Sequence, residues 1–150
     1  MSDTLMDLYR EVILDHNRDP RNFGELEHAN RVVEGVNPLC GDRMTLYVKT
    51  SAAGQIEDVG FTGTGCAISV ASASLMTERI KGLTVDEALE LFELLHDVLT
   101  GVQEPDPVEL DKLAALAGVR QYPSRVKCAS LAWHALKSAL TTTDEKISTE

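Results

Sequence analysis

The order of the sequence patterns predicts an α+β fold, in which helices pack mainly on one face of a small three-stranded antiparallel sheet. A helical pattern comes first, segments of alternating polarity follow, and further helical patterns complete the chain. This segregation favours helices packed on an antiparallel sheet over alternating βαβ units. At 150 residues, the chain is typical of one domain. We therefore predict a single domain over residues 1–140 and a frayed tail over residues 141–150.

The first element is an amphipathic helix predicted over residues 4–18. Thr4 can cap its start, and its apolar residues recur at helical spacing at Leu5, Leu8, Val12 and Ile13. Residues 19–24 contain Pro20 and Gly24, which interrupt the helical pattern and predict a loop.

Three strands are predicted next. Residues 32–33 (VV) indicate a short strand, and residues 44–49 alternate apolar and polar side chains, as a half-buried strand does. Residues 51–55 predict a turn, after which residues 56–61 return as the third strand. The last two strands are therefore expected to form a hairpin at the centre of the sheet.

The second half of the chain predicts helices. One begins after Gly65 and carries small residues that allow close packing, and another begins at a capping box formed by Thr84 and Glu87. A short helix ending at Gly118 is predicted from the spacing of Leu110, Leu113 and Leu116. The last helix is expected over residues 124–140, and residues 141–150 are polar without periodicity.

Charge and hydropathy exclude several classes of function. The net charge of −10 argues against a nucleic-acid partner, because phosphate backbones are bound by clustered Lys and Arg. No apolar run approaches the ~20 residues that span a bilayer, so no membrane association is expected. The first residues lack the pattern of a signal peptide, which makes the cytoplasm the expected location. Cysteines are kept reduced there.

The three cysteines lie in distinctive local sequences. Cys40 is in residues 37–42 (NPLCGD), Cys66 is in residues 63–67 (GTGCA), and Cys128 is in residues 125–129 (RVKCA). Their odd number argues against a framework of paired disulfides. The motifs fall at the predicted ends of strands and helices, which can converge at one edge of a domain. They therefore indicate a metal or sulfur site.

Four side chains of these motifs suffice for tetrahedral zinc. They are Cys40, Asp42, Cys66 and Cys128, and zinc accepts thiolate and carboxylate ligands together. The positive end of the helix dipole favours the thiolate of Cys66. A carboxylate among sulfur ligands makes the site less like a closed structural site of four cysteines.

Two cations are candidates to offset the negative charge of such a site. Arg125 and Lys127 are neighbours of Cys128 in the sequence, and a cation near the ligands stabilises them. Either residue could instead contribute to the docking of a partner.

Simpler interpretations stay open for each residue alone. A single cysteine is most often a small buried hydrophobe, which applies to Cys66 and Cys128, and Asp42 could be a turn residue. His96 and His134 lie on amphipathic helices and are expected at the edge of the core or on the surface. His16 and His28 remain candidates for contact with the ligands.

The three motifs together resemble the U-type iron–sulfur cluster assembly proteins, the group of IscU, SufU and the N-terminal domain of NifU. The resemblance extends from the helix around residues 8–11 to the helix around Trp133. It implies the α+β fold of the SufE and IscU proteins, with one ligand-bearing cysteine in each motif.

Three features are similar to the SufU branch of this family rather than to its scaffold branch. Lys127 stands where scaffolds carry a histidine, residues 122–127 match their proline-rich chaperone-recognition segment poorly, and residues 84–118 add helical sequence between Cys66 and Cys128. The resemblance implies Zn²⁺ bound by Cys40, Asp42, Cys66 and Cys128. It further implies Cys40 as acceptor of persulfide sulfur from a pyridoxal-phosphate-dependent cysteine desulfurase of the SufS type.

Three hypotheses follow from the sequence. The first is a zinc-dependent sulfurtransferase that stimulates the desulfurase and supplies downstream iron–sulfur assembly proteins. The second is a scaffold that assembles a [2Fe–2S] cluster on the same residues, and the third is a structural zinc protein. Lys127 favours the first over the second, because an ammonium group cannot act as a ligand whereas histidine can.

Overall fold

The computed structural model describes the backbone of residues 2–149 and the side chains of residues 7–149. The helices of this part are α1 (Ser2–Arg18), α2 (Ala67–Ile80), α3 (Val85–Leu99), α4 (Pro107–Leu110), a 3-10 helix (Asp111–Gln121) and α5 (Pro123–Thr141). The strands are β1 (Arg31–Asn37), β2 (Asp42–Thr50), β3 (Ile56–Thr64) and β4 (Lys146–Ser148). The predicted α+β class is confirmed. The predicted contributions of the Thr4 and Leu5 side chains lie outside the described residues.

The sheet has four strands in the order β3-β2-β1-β4. β1, β2 and β3 are antiparallel, as predicted, and the expected β2–β3 hairpin is confirmed. β4 pairs with β1 in parallel, so the prediction of a purely antiparallel three-stranded sheet was wrong. The added strand comes from the segment expected to be a frayed tail.

A buried contact explains why this polar segment is ordered. Ile147 is the apolar residue of β4, and its side chain packs on Gly35 of β1. A β-carbon added to Gly35 would lie 3.4 Å from Ile147 Cδ1. Just before β4, the amide of Glu34 donates to the carbonyl of Glu145 at 2.7 Å. A strand of three residues with a single apolar side chain leaves no alternating pattern to detect in the sequence.

The buried face of the sheet ends in polar residues at one edge. Alternate residues of β1 are buried through Asn37, and alternate residues of β2 are buried from Asp42 onward. These two residues pair across the strands, so the connection over residues 38–41 is a tight hairpin. In it, the amide of Cys40 donates to the carbonyl of Asn37 at 3.2 Å, and Gly41 supplies a left-handed conformation with a φ of 73°.

The helices cover this face with closely packed residues. α5 packs across β1 and β2, while α2 packs against β3, α1 and α5. The small residues of α2 allow a direct link to α5, because the Ser72 hydroxyl donates to the carbonyl of Ala129 at 2.5 Å and accepts from Trp133 Nε1 at 3.1 Å. The predicted capping box of α3 is confirmed, with Thr84 and Glu87 bonded reciprocally.

None of the helices in residues 2–149 is long and apolar enough to cross a lipid bilayer.

The predicted end of the short helix at Gly118 was wrong. The 3-10 helix continues through Gly118 to Gln121. The glycine is required for close packing, because a β-carbon there would lie 2.6 Å from Cγ and Cδ1 of Tyr9. Tyr9 thereby holds α1 against the 3-10 helix.

We expect Gly118→Ala to lower the free energy of unfolding by about 1–3 kcal/mol, because the added methyl group overlaps the Tyr9 ring. Urea denaturation measures the change. In a Tyr9→Ala background the same substitution should cost clearly less, because the overlapping ring is gone. An equal cost in both backgrounds would contradict this explanation.

Candidate metal centre

The four predicted ligand residues lie in or next to the β1–β2 hairpin, α2 and α5. Cys40 lies in the β1–β2 turn, Asp42 begins β2, Cys66 precedes α2, and Cys128 lies in the second turn of α5. One donor atom each from Cys40, Asp42 and Cys128 forms a group whose members all lie within 4.8 Å of one another. Cys66 adjoins the group, with its Sγ 4.0 Å from Asp42 Oδ2.

The donor set fits a tetrahedral metal ion. The Cys40 and Cys128 sulfurs are 3.4 Å apart. With zinc–sulfur distances of about 2.3 Å, a tetrahedral site places its sulfur ligands about 3.7 Å apart. The spacing of the Cys40 and Cys128 sulfurs is therefore close to that of two zinc ligands. Thiolate-rich sites also suit iron–sulfur clusters.

Asp42 is a buried carboxylate rather than an exposed turn residue. Its side chain is 1% exposed. Oδ1 accepts a hydrogen bond from the backbone amide of Cys66 at 2.8 Å, and Oδ2 accepts one from Asn37 Nδ2 at 3.2 Å. A buried charge needs such partners or a cation. The two donors fix the orientation of the carboxylate toward the cysteines.

Cys66 occupies the N-cap position of α2. Its extended backbone (φ −70°, ψ 163°) precedes the helix, and its sulfur accepts a hydrogen bond from the backbone amide of Ser69 at 3.4 Å. The sulfur takes the place of the side-chain oxygen that usually caps a helix. It therefore lies at the positive end of the helix dipole, as the sequence predicted.

The three thiols differ in their access to solvent. Cys128 is buried, Cys66 is half-buried and Cys40 is exposed. Burial raises the pKa of the Cys128 thiol, and the neighbouring Cys40, Asp42 and Cys66 side chains raise it further. A metal ion that binds here must therefore displace the proton of Cys128, because only the thiolate acts as a ligand.

The two candidate cations lie in different places. Arg125 lines a cavity of about 440 Å³ together with all three cysteines, and its guanidinium carbon lies 4.6 Å from the centroid of the Tyr122 ring. Lys127 lines a separate cavity between α5 and the C-terminal residues. Both side chains are exposed. Arg125 is thus the cation closer to the thiols.

The cavity beside the cysteines has apolar walls and an apolar rim. Ile13 and Ile68 line it, and both are buried. Leu14, which also lines it, is 58% exposed, and Leu39, the residue before the lining residue Cys40, is 69% exposed. Two large apolar side chains are thus exposed to solvent near the thiols.

The histidines lie outside the donor group. His16 is fully buried, and its Nδ1 lies 2.7 Å from Ser74 Oγ, which joins α1 to α2. His28 is exposed. His96 and His134 pack around the Phe92 ring, at the predicted edge of the core, and burial lowers the pKa of His134.

The sequence interpretation assigned no role to Asn37, which the structure places against the ligands. Asn37 is fully buried, and its Nδ2 also lies 3.5 Å from the sulfur of Cys128. The alternation of buried residues along β1 could have identified it, because Val33, Gly35 and Asn37 share one face. A polar residue at the end of an otherwise apolar face is the signal.

Comparison with known proteins places the chain in a family. The model of the NifU-like N-terminal domain matches residues 8–149. The zinc-dependent sulfurtransferase SufU of Bacillus subtilis (strain 168) is 44% identical over 133 residues, which cover 89% of each protein. The iron–sulfur cluster assembly scaffold protein IscU of Streptococcus pyogenes serotype M1 is 41% identical over 133 residues, covering 89% of this chain and 82% of that protein.

A solved structure agrees with this placement. The crystal structure of FiSufU from Fervidobacterium islandicum AW-1 superposes with a TM-score of 0.83 at 40% identity, covering 89% of this chain and 97% of that one. The chain therefore belongs to the family of NifU-like N-terminal domains, together with the SufU and IscU proteins of iron–sulfur cluster assembly.

Proposed function

We propose that the protein is a zinc-dependent sulfurtransferase that accepts persulfide sulfur from a pyridoxal-phosphate-dependent cysteine desulfurase of the SufS type and stimulates that enzyme. The observation that carries the proposal is one exposed thiol, Cys40, in contact with the buried Cys128 sulfur of a donor set whose other members, Asp42 and Cys66, are buried and half-buried. The identity of 44% to a zinc-dependent sulfurtransferase supports it.

The residues that would hold zinc are Cys40, Asp42, Cys66 and Cys128. When bound, zinc stabilises the thiolate forms of cysteines at neutral pH. Asp42 and Cys128 are each 1% exposed, so little solvent reaches these two residues. Electrostatic interactions are stronger in such a site than in water.

Cys40 is the residue best placed to react with a partner. Its turn contains Gly41 and a backbone hydrogen bond from Cys40 to Asn37, whereas Cys66 caps the start of α2 and Cys128 lies within α5. A thiolate on this turn can leave the donor group without moving a helix. It then reaches outward while the other three residues retain their positions.

The transfer is a thiol–persulfide exchange. The Cys40 thiolate attacks the outer sulfur of the partner's persulfide, a new bond forms between the two sulfurs, and the sulfur–sulfur bond of the partner breaks. The partner's cysteine leaves as a thiolate, and the proton of the persulfide stays on the transferred sulfur. The exchange needs no external oxidant or reductant.

The apolar rim suits the docking of the desulfurase. Leu14 lines the cavity that contains the thiols, and Leu39 is the exposed residue before Cys40, so a partner that covers them excludes water from the reacting sulfurs. The net charge of −10 favours a partner with a basic docking surface. Arg125, at the same cavity, is the candidate for pairing with an acidic group of that partner or for offsetting the charge of the ligands.

A second candidate function is a scaffold that assembles a [2Fe–2S] cluster on the same residues. The identity of 41% to an IscU scaffold protein favours it. Lys127 weighs against it, because this ammonium group faces a different cavity from the cysteines and cannot act as a ligand. Metal and sulfide analysis of protein purified without oxygen distinguishes the two functions: zinc alone supports the first, and stoichiometric iron and sulfide would support the second.

We expect one zinc ion per chain, lost in Cys66→Ser and Cys128→Ser. Both substitutions should also lower thermal stability, because the free energy of zinc binding contributes to folding. Elemental analysis and thermal unfolding measure the two effects. Cys40→Ser serves as the comparison and should destabilise the fold less, since Cys40 is exposed. Stoichiometric zinc in Cys66→Ser would remove Cys66 from the ligands.

We expect Asp42→Ala to retain zinc but to exchange it faster and to impair sulfur transfer. The substitution removes the oxygen ligand and leaves the Cys66 amide without its acceptor. Competition with a chromogenic chelator measures the exchange rate. Asp42→Asn, which keeps the size and an acceptor oxygen, should show a smaller change. Complete zinc loss in Asp42→Ala, with normal exchange in any residual zinc protein, would identify Asp42 as an anchoring ligand instead.

We expect the zinc-loaded protein to acquire a persulfide on Cys40 when incubated with the desulfurase and cysteine. Mass spectrometry should find one additional sulfur on the peptide that contains Cys40. Desulfurase turnover should rise with the wild-type protein and not with Cys40→Ala. Added sulfur on Cys66 or Cys128, or full stimulation by Cys40→Ala, would show that Cys40 is not the acceptor.

A further inference from the structure

We propose that Asn37 is a positioning residue for the metal ligands, which holds Asp42 and Cys128 in place and leaves Cys40 as the ligand that is free to move. The inference rests on the proposed zinc site. It concerns the hydrogen bonds of the ligands and not the transfer of sulfur.

Asn37 contacts three of the four ligand residues. Its Nδ2 donates to Asp42 Oδ2 at 3.2 Å and to the Cys128 sulfur at 3.5 Å. Its backbone carbonyl accepts from the amide of Cys40 at 3.2 Å. Asn37 also pairs with Asp42 in the β1–β2 register, so the strand backbone fixes the position of the amide.

The chemistry of its neighbours sets the orientation of the Asn37 amide. A rotated amide would place its oxygen against the Asp42 carboxylate, where two acceptors repel each other. In the orientation found, Nδ2 bonds to both ligands, while the buried Oδ1 has no hydrogen-bond partner within the described residues. A buried acceptor without a partner destabilises a fold. The presence of this asparagine on an otherwise apolar face therefore indicates that its two donors serve the ligands.

The hydrogen-bond donors that contact the ligands are neutral groups. The structure shows Arg125 over the Tyr122 ring and Lys127 at a separate cavity. The donors directed at the ligands are instead Asn37 Nδ2 and the amides of Cys66 and Ser69. Hydrogen bonds to an ionised sulfur or carboxylate are stronger than bonds between neutral groups.

These donors are distributed unequally among the ligands. The side chains of Asp42, Cys66 and Cys128 each accept an N–H hydrogen bond. The sulfur of Cys40 has a different neighbour, the Cys128 sulfur at 3.4 Å. Asp42, Cys66 and Cys128 are therefore held in place by N–H donors of the protein. The exposed Cys40 sulfur is held instead through its contact with the Cys128 sulfur. Because of this difference, the release of Cys40 from the site requires less free energy than the release of any of the other three ligands.

The test compares Asn37→Leu and Asn37→Asp, both close to asparagine in size, in zinc- and cobalt-loaded protein. In Asn37→Leu, loss of the hydrogen bond to Cys128 should move the sulfur-to-cobalt charge-transfer absorption to longer wavelength and weaken zinc binding about 10- to 100-fold, the range typical when a partner of a metal ligand is lost. Asn37→Asp should weaken zinc binding further, because it adds a negative charge beside Asp42. Urea denaturation of the metal-free Asn37→Leu protein should be close to that of wild type.

Asn30→Leu is the matched control. Asn30 lies just before the other end of β1 and donates to the carbonyl of Thr50 at 3.0 Å, so its replacement should leave the cobalt spectrum and zinc affinity unchanged. Where Asn37→Leu does not fold, Asn37→Ser, too short to reach both acceptors, takes its place with the same expected spectral shift.

An unchanged cobalt spectrum with zinc affinity within about 2-fold of wild type would overturn the inference. An equal loss of stability in metal-free and zinc-loaded protein would also overturn it, because it would show a purely structural role. The proposed function fails separately: no persulfide on wild-type Cys40, together with the expected effects of Asn37→Leu, would refute sulfur transfer and leave the role of Asn37 intact.

Discussion

The buried carboxylate of Asp42 is the constraint on which the site depends. It joins the end of the β1–β2 hairpin, through Asn37, to the start of α2, through the amide of Cys66. It also explains the glycine before Cys66, because a β-carbon at Gly65 would lie 2.6 Å from both Asp42 Oδ1 and Ser69 Oγ. A charge so deeply buried is tolerated only with such partners, so one side chain of the Cys40 motif constrains both its own hairpin and the residues around Cys66.

Element types were predictable from local patterns, and the exceptions have physical causes. The alternation of residues 44–49, the repeat of α1 and the capping box of α3 each depend on neighbouring residues alone, and all three elements formed. β4 depends on a contact between Ile147 and Gly35, and the path of the 3-10 helix depends on the Tyr9 ring over Gly118. Such contacts between distant segments leave no periodic signal.

The sequence identified four candidate ligand residues, which the structure brings close together, but it did not identify the groups that surround them. Arg125 and Lys127 both precede Cys128 in the sequence. Arg125 is three positions before Cys128, so these two share one face of α5, whereas Lys127 is one position before Cys128 and lies about 100° away around the helix. Lys127 therefore lines a different cavity from the one that Arg125 and Cys128 line. Asn37 was missed because its role depends on its pairing with Asp42 across the hairpin. The alternation of buried residues along β1 nevertheless marks Asn37 as buried.

The proposed sulfur transfer requires a site that is both rigid and able to release one ligand, and the fold divides these demands between its segments. Helices and strands carry the three residues that accept N–H hydrogen bonds, whereas the turn over residues 38–41 carries the exposed thiol. Leu39 belongs to that turn and Leu14 lines the cavity beside Cys40, and both side chains are exposed. A partner that covers them would remove water from around Cys40 and strengthen every charge interaction there. Docking and release of the thiol would then be coupled, because the surface that a partner buries includes the segment that moves.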